Sequence, residues 1–145
     1  MNRQNTELLR QVHKAASSGL EAIETVLSKV KTPSLKEKIE AQGVSYQKLI
    51  SRSEAMLRQE NAMPEKSPVL QKAVMWGAIQ MNTLADASPE HVAELMINGS
   101  NMSIVEMTKQ LNSAPEADSG ARRLAEEYLR GEQRHLDEMK PYLRG

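Results

Sequence analysis

The hydrophobic residues of this chain recur every three to four positions along most of its length, which is the period of an amphipathic helix. This pattern predicts five helices, over residues 6–31, 33–60, 68–85, 89–112 and 119–143. No segment shows the strict alternation of a half-buried strand. The sequence therefore predicts an all-α protein with a single helical-bundle domain over residues 1–145.

Three of the predicted helices begin with the same pair of residue types. Thr32-Pro33, Ser67-Pro68 and Ser88-Pro89 each place a hydroxyl at the N-cap and a proline at the first helical position. Helices 6–31 and 33–60 form a long hairpin. Helices 68–85 and 89–112 are shorter and are joined by a tight turn, after which helix 119–143 returns. This order predicts a compact bundle of four to five helices.

The two shorter predicted helices are apolar on nearly every side, and a helix of that kind is buried on every side. A domain of 145 residues has difficulty burying two such helices within one subunit. We therefore expect a twofold homodimer through these helices, with the alternative that they pack entirely within the monomer. The expected interface residues are Met75, Ile79, Ile97 and Ile104.

Helix 119–143 carries a Glu-x-x-His pair inside its apolar arc. At about 100° per residue, Glu132 falls near the centre of the arc and His135 near its edge. Both side chains are therefore expected to point inward. Gln42 and Tyr46 lie at a similar depth on helix 33–60, so we expect a polar core layer of Gln42, Tyr46, Glu132 and His135.

We expect two other helices to contribute residues at the depth of this polar layer. Gly19 lies in the apolar arc of helix 6–31, where a close helix approach explains it better than a gap for a ligand. Gly99 and Glu106 lie on the side of helix 89–112 that carries Leu95 and Met102. Glu106 is the only other carboxylate expected to point inward.

The polar layer has two interpretations. A buried Glu and His are most simply members of a hydrogen-bonded structural layer, because buried polar groups need partners. The alternative is a mononuclear site in which Glu132, His135 and Glu106 hold one divalent metal ion, with His13 as a further candidate ligand.

A resemblance bears on this choice. The stretches LLRQVHKAASSGLEAIETVL, MNTLADASPEHVAELMINGSNMSIVEM and EEYLRGEQRHLDEMKPYL resemble a small family of uncharacterised bacterial all-helical proteins. The long hairpin and the final E-x-x-H helix resemble the ferritin-like helical-bundle superfamily. That resemblance implies a di-iron site with two Glu-x-x-His pairs. Here only Glu132 and His135 match, because Glu40 is followed three residues later by Gly43, so the implied site is degenerate.

The amino-acid composition restricts the possible functions further. The chain has no Cys, and its 19 basic and 19 acidic residues leave no net charge. Without a basic excess or an aromatic platform we expect no nucleic-acid partner, and no apolar run is long enough for a membrane span. We expect a cytoplasmic, non-enzymatic homodimer with a structural or interaction role and no cofactor. The alternative is a bundle that binds a metal or small ligand through Glu132 and His135.

Overall fold

The computed structural model describes residues 2–64 and 88–144, and these two ranges contain helices and connecting loops but no strand. The α-helices in these ranges are α1 (Arg3–Leu27), α2 (Pro33–Gln59), α3 (Pro89–Asn112) and α4 (Ser119–Met139), and a short 3-10 helix (Lys140–Tyr142) follows α4. The prediction of an all-α protein is confirmed for the described ranges. The predicted helix 68–85, with its Ser67-Pro68 start and the expected interface residues Met75 and Ile79, lies outside them.

The described helices form two hairpins. α1 packs most extensively on α2, and α3 packs most extensively on α4. The connections within each pair are short, so the two helices of each pair run antiparallel. α1 also contacts both α3 and α4, and α2 contacts α4. The main partner of α3 within the described ranges is thus the C-terminal helix.

The helix ends follow local capping chemistry. Ser88 accepts a hydrogen bond from a first-turn backbone N–H as predicted, whereas Thr32 makes no such bond and α2 starts on its proline alone. α1 begins three residues earlier than predicted because the Asn2 side chain caps it. α4 ends at Met139, earlier than predicted, because Pro141 lies in the 3-10 helix that follows.

A buried asparagine joins three chain segments at one end of the bundle. Asn5 Nδ2 donates to Glu60 Oε1 at 2.6 Å and to Asp118 Oδ2 at 2.7 Å, and Asn5 Oδ1 accepts from the Asp118 backbone N–H at 2.8 Å. Asp118 also caps α4 by accepting from the Ala121 N–H at 3.0 Å. These bonds fix the start of α1 against the end of α2 and the start of α4.

A glycine in α1 makes room for an aromatic ring of α2. A Cβ atom at Gly19 would lie 2.6 Å from both Cε2 and Cζ of Tyr46, closer than real Cβ contacts come. The close approach expected at Gly19 is therefore made by the Tyr46 ring. Because the ring fits against the bare α1 backbone, its hydroxyl reaches the centre of the bundle.

We expect Gly19→Ala to destabilise the protein by about 1–2 kcal/mol, because overpacking outweighs a gain in helix propensity of roughly 1 kcal/mol. Gly131→Ala in α4 is the matched control. Its new Cβ would meet only Arg134 Nη2, at 3.8 Å, so the propensity gain should appear as higher stability. Urea unfolding of both variants measures the difference, and equal effects would contradict the Tyr46 contact.

Candidate functional site

The candidate site is built on α4, whose buried side lies along the core of the bundle. Glu132 is only 1% exposed and His135 is 4% exposed. The two residues are one helical turn apart, so they lie on the same side of α4. A carboxyl and an imidazole thus lie within a core that is otherwise mostly aliphatic.

The Glu132 carboxyl is hydrogen-bonded to hydroxyl groups from two other helices. Tyr46 of α2 donates its O–H to Glu132 Oε1. Ser100 of α3, which is also buried, forms a second side-chain hydrogen bond with Glu132. Gln42 extends the chain of bonds, because its Nε2 donates to the Tyr46 hydroxyl at 2.9 Å. A single carboxyl therefore connects α2, α3 and α4 inside the core.

Burial controls the protonation of these groups. Desolvation raises the pKa of Glu132 from 4.5 to about 7, and the hydrogen bonds from Tyr46 and Ser100 offset only part of the rise. Burial, and then the nearby Glu132 carboxyl, also raise the pKa values of Tyr46 and Tyr128 above 10.0. Both phenols therefore stay neutral at every physiological pH, so Tyr46 keeps the proton that it donates to the carboxyl.

His135 differs from Glu132 in having no hydrogen-bond partner among the described residues for either ring nitrogen. Its Nδ1 lies 4.0 Å from Glu138 Oε2, which is too far for a hydrogen bond. Burial, and then the charge of Arg134, lower the pKa of His135 from 6.5 to about 4. The imidazole is thus neutral near pH 7. Glu132 bonds to Tyr46 and Ser100 rather than to its sequence neighbour His135.

Glu106 does not join this layer. Its side chain is 69% exposed, and its Oε1 lies 3.7 Å from Lys109 Nζ on the outer side of α3. The expectation that Glu106 points inward was wrong, as was the choice of the Gly99 and Met102 side as the inner one. A Cβ at Gly99 would meet nothing within 4 Å, and Met102 is 57% exposed.

The inner face of α3 carries serines that the sequence analysis missed. The buried residues of this helix are Val92, Ala93, Ser100 and Met107, and the half-buried Met96 packs against the core. Ser103, half-buried one turn after Ser100, hydrogen-bonds to Tyr128. The available signal was the three-residue spacing of the two serines within a stripe that also contains Val92 and Met107.

The expected interface residues of α3 lie between its inner and outer faces. Ile97 and Ile104 are half-buried rather than exposed, and Ile97 packs against the core. The more exposed apolar side chains of α3 are Met102 and Val105. The outer face of this helix therefore differs from the one predicted.

The described residues do not fit the di-iron site that the ferritin-like resemblance implies. Glu24 of α1 and Glu40 of α2, two carboxylates of the long hairpin, are both exposed, and a Cβ at Gly43 would lie 3.4 Å from Ile23 Cγ2. Residues 2–64 and 88–144 contain no group of three His, Cys, Asp or Glu side chains placed to hold a metal ion. His13 is occupied elsewhere, because its Nε2 lies 3.0 Å from Glu54 Oε1.

Neither the apolar character of the helices nor a comparison with known proteins assigns a function to this chain. Among the described helices, none combines the length and apolar character that crossing a membrane requires. Searches of protein families, curated proteins and solved structures found no match to this chain.

The shifted pKa values predict opposite effects of pH on stability. The raised pKa of Glu132 gives a stabilising contribution that is present below about pH 4.5 and is lost as the pH rises to about 7. The lowered pKa of His135 gives one that is present above about pH 6.5 and is lost as the pH falls to about 4. Between about pH 4.5 and pH 6.5 the two contributions to stability therefore change with pH in opposite directions.

We therefore expect the free energy of unfolding of Glu132→Gln to fall by about 2 kcal/mol relative to that of the wild type when the pH is lowered from 6.5 to 4.5. His135→Leu should gain a similar amount over the same interval. Urea unfolding across this pH range measures both, and the difference from the wild type removes the effect of all other carboxylates. Parallel pH profiles for the three proteins would contradict the assigned protonation states.

At pH 8 the two layer residues should respond differently to apolar substitution. His135→Leu should leave stability unchanged or raise it by about 1 kcal/mol. The reason is that it removes two buried ring nitrogens that have no hydrogen-bond partner among the described residues. Glu132→Leu should cost about 1–3 kcal/mol, because it leaves the buried hydroxyls of Tyr46 and Ser100 without their acceptor. Thermal unfolding of both variants tests this contrast. A large loss in His135→Leu would mean that the imidazole has a partner.

Proposed function

We propose that this protein is a non-enzymatic, ferritin-like helical bundle that acts in the cytoplasm as a homodimeric structural or interaction protein. The observation that carries the proposal is the bonding of Glu132 by hydroxyls from α2 and α3. A carboxyl whose oxygens accept bonds from two neighbouring helices holds those helices together, which is a structural task.

The placement of the layer supports the same role. The layer joins helices of both hairpins, since Tyr46 lies in α2 and Ser100 and Glu132 lie in α3 and α4. Buried hydrogen bonds between helices favour one packing arrangement over the alternatives, because a shifted helix would leave a buried polar group unpaired. A bundle with one fixed arrangement offers a constant outer surface to a second copy or to another protein.

A second candidate function is the binding of a single divalent metal ion or a small ligand. The observation that favours it is the set of three buried polar atoms without a partner among the described residues, which are Gln42 Oε1 and both ring nitrogens of His135. Imidazole nitrogen, amide oxygen and the nearby Glu132 carboxylate are all metal-ligand types. Any such ligand would have to replace the Tyr46 hydrogen bond or share the carboxyl with it.

Elemental analysis of protein purified without chelators distinguishes the two candidates. The Glu132→Ala, His135→Ala double variant should contain as little metal as the wild type if the layer is structural. His13→Ala is the matched control, because His13 also faces a carboxylate but lies outside the layer. Stoichiometric metal that the control retains and the double variant loses would overturn the structural proposal.

A further inference from the structure

The outer face of α3 combines exposed apolar side chains with a glycine in open space. Met102 is 57% exposed and Val105, three residues later, is 52% exposed. Gly99 precedes Met102 by three residues on the same side, and a Cβ placed there would meet nothing within 4 Å. Leu95 is half-buried one turn earlier. A second helix could approach the backbone closely at Gly99 and cover the two exposed apolar side chains.

The charges on this face are complementary to those of a second copy that runs antiparallel. Glu94 and Lys109 are both exposed and lie on either side of Met102. Glu106 lies on the same face, with its Oε1 3.7 Å from Lys109 Nζ. At a rise of 1.5 Å per residue Glu94 and Lys109 are about 12 Å and about 10 Å from Met102 along the helix axis. A twofold axis at Met102 therefore brings each Glu94 beside the Lys109 of the other copy. A parallel arrangement would instead place Lys109 beside Lys109.

The same axis also sets which residues of the two copies lie level with each other. Gly99 and Val105 are each three residues from Met102, in opposite directions. An antiparallel copy thus places each Val105 at the same height along the axis as a Gly99, where the missing side chain lets the two helices approach closely. Antiparallel helices also bring the negative C-terminal end of one helix dipole near the positive N-terminal end of the other. Charge and helix dipole both favour the antiparallel direction.

We propose that α3 is the contact helix of a homodimer in which a second copy of this chain packs antiparallel on it about a twofold axis at Met102. This inference rests on the homodimer proposed above and specifies its contact face and direction. Glu94 pairs with Lys109 of the second copy at both ends, and Gly99 lies level with Val105 of the second copy at two symmetric positions.

Light scattering and sedimentation over a range of protein concentrations test whether the dimer forms through this face of α3. Met102→Glu places two like charges at the axis and should weaken the dimer by about tenfold or more. Met63→Glu is the matched control, because Met63 is 72% exposed but lies after α2, outside this face. The control should dimerise as the wild type does.

A charge exchange tests the direction. Glu94→Lys and Lys109→Glu should each weaken the dimer, and the variant with both changes should recover wild-type affinity. In a parallel dimer each of these residues would meet its own counterpart, so a single change would replace one like-charged pair by another and leave the affinity about unchanged. Single variants that dimerise as tightly as the wild type would therefore overturn the antiparallel arrangement. Dimerisation that Met102→Glu leaves intact would overturn this face while the proposed homodimer stands.

A monomeric wild type would overturn both the contact helix and the homodimer. Oxidation of Met102 by hydrogen peroxide then identifies what lies on α3. If Met102 is oxidised as fast as Met63 in the monomer, then nothing covers this face of α3. Met102 that resists oxidation in the monomer means that another part of the chain covers it, which equally overturns the proposal.

Discussion

The hydrogen bond from the Tyr46 hydroxyl to the Glu132 carboxyl is the interaction on which the core layer depends. It requires the Tyr46 ring to enter the bundle centre, and the ring fits there only because Gly19 has no side chain. Gln42 then donates to the same hydroxyl. One bond therefore constrains the spacing of α1 and α2 and the rotation of α4, because a shift in any of these helices would leave a buried polar group unpaired.

Burial reverses the usual order of acid strength in the layer. In water a glutamate is ionised and a histidine protonated near pH 5.5, so the two attract as an ion pair. Here desolvation raises the pKa of Glu132 to about 7 and lowers that of His135 to about 4. Between these values both groups are neutral, and the core avoids the cost of a buried charge. Neither group therefore needs the other as a charge partner.

The sequence predicts the position of α4 side chains better than those of α3. α4 has one apolar arc, so its rotation is unambiguous and Glu132 lies inside as expected. α3 is apolar on several sides, and the pattern does not distinguish the face of Met102 from that of Ser100. Polar partners decide its rotation, since Ser100 and Ser103 bond to groups that other helices supply. The bonds of Asn5 were unpredictable for a related reason, because its partners lie 55 and 113 residues away.

The rotation of α3 links the core layer to the outer surface. A helix has a single rotation about its axis, so turning Ser100 toward Glu132 necessarily turns Met102, two residues later, away from the core. The serines are weak contributors to an apolar core, whereas Met102 and Val105 would contribute more area if buried there. Val92, Ala93 and Met107 are buried in the same orientation, so apolar packing and the hydrogen bonds of the layer together leave Met102 and Val105 on the surface. A partner that covers Met102 and Val105 recovers the apolar burial that this orientation gives up.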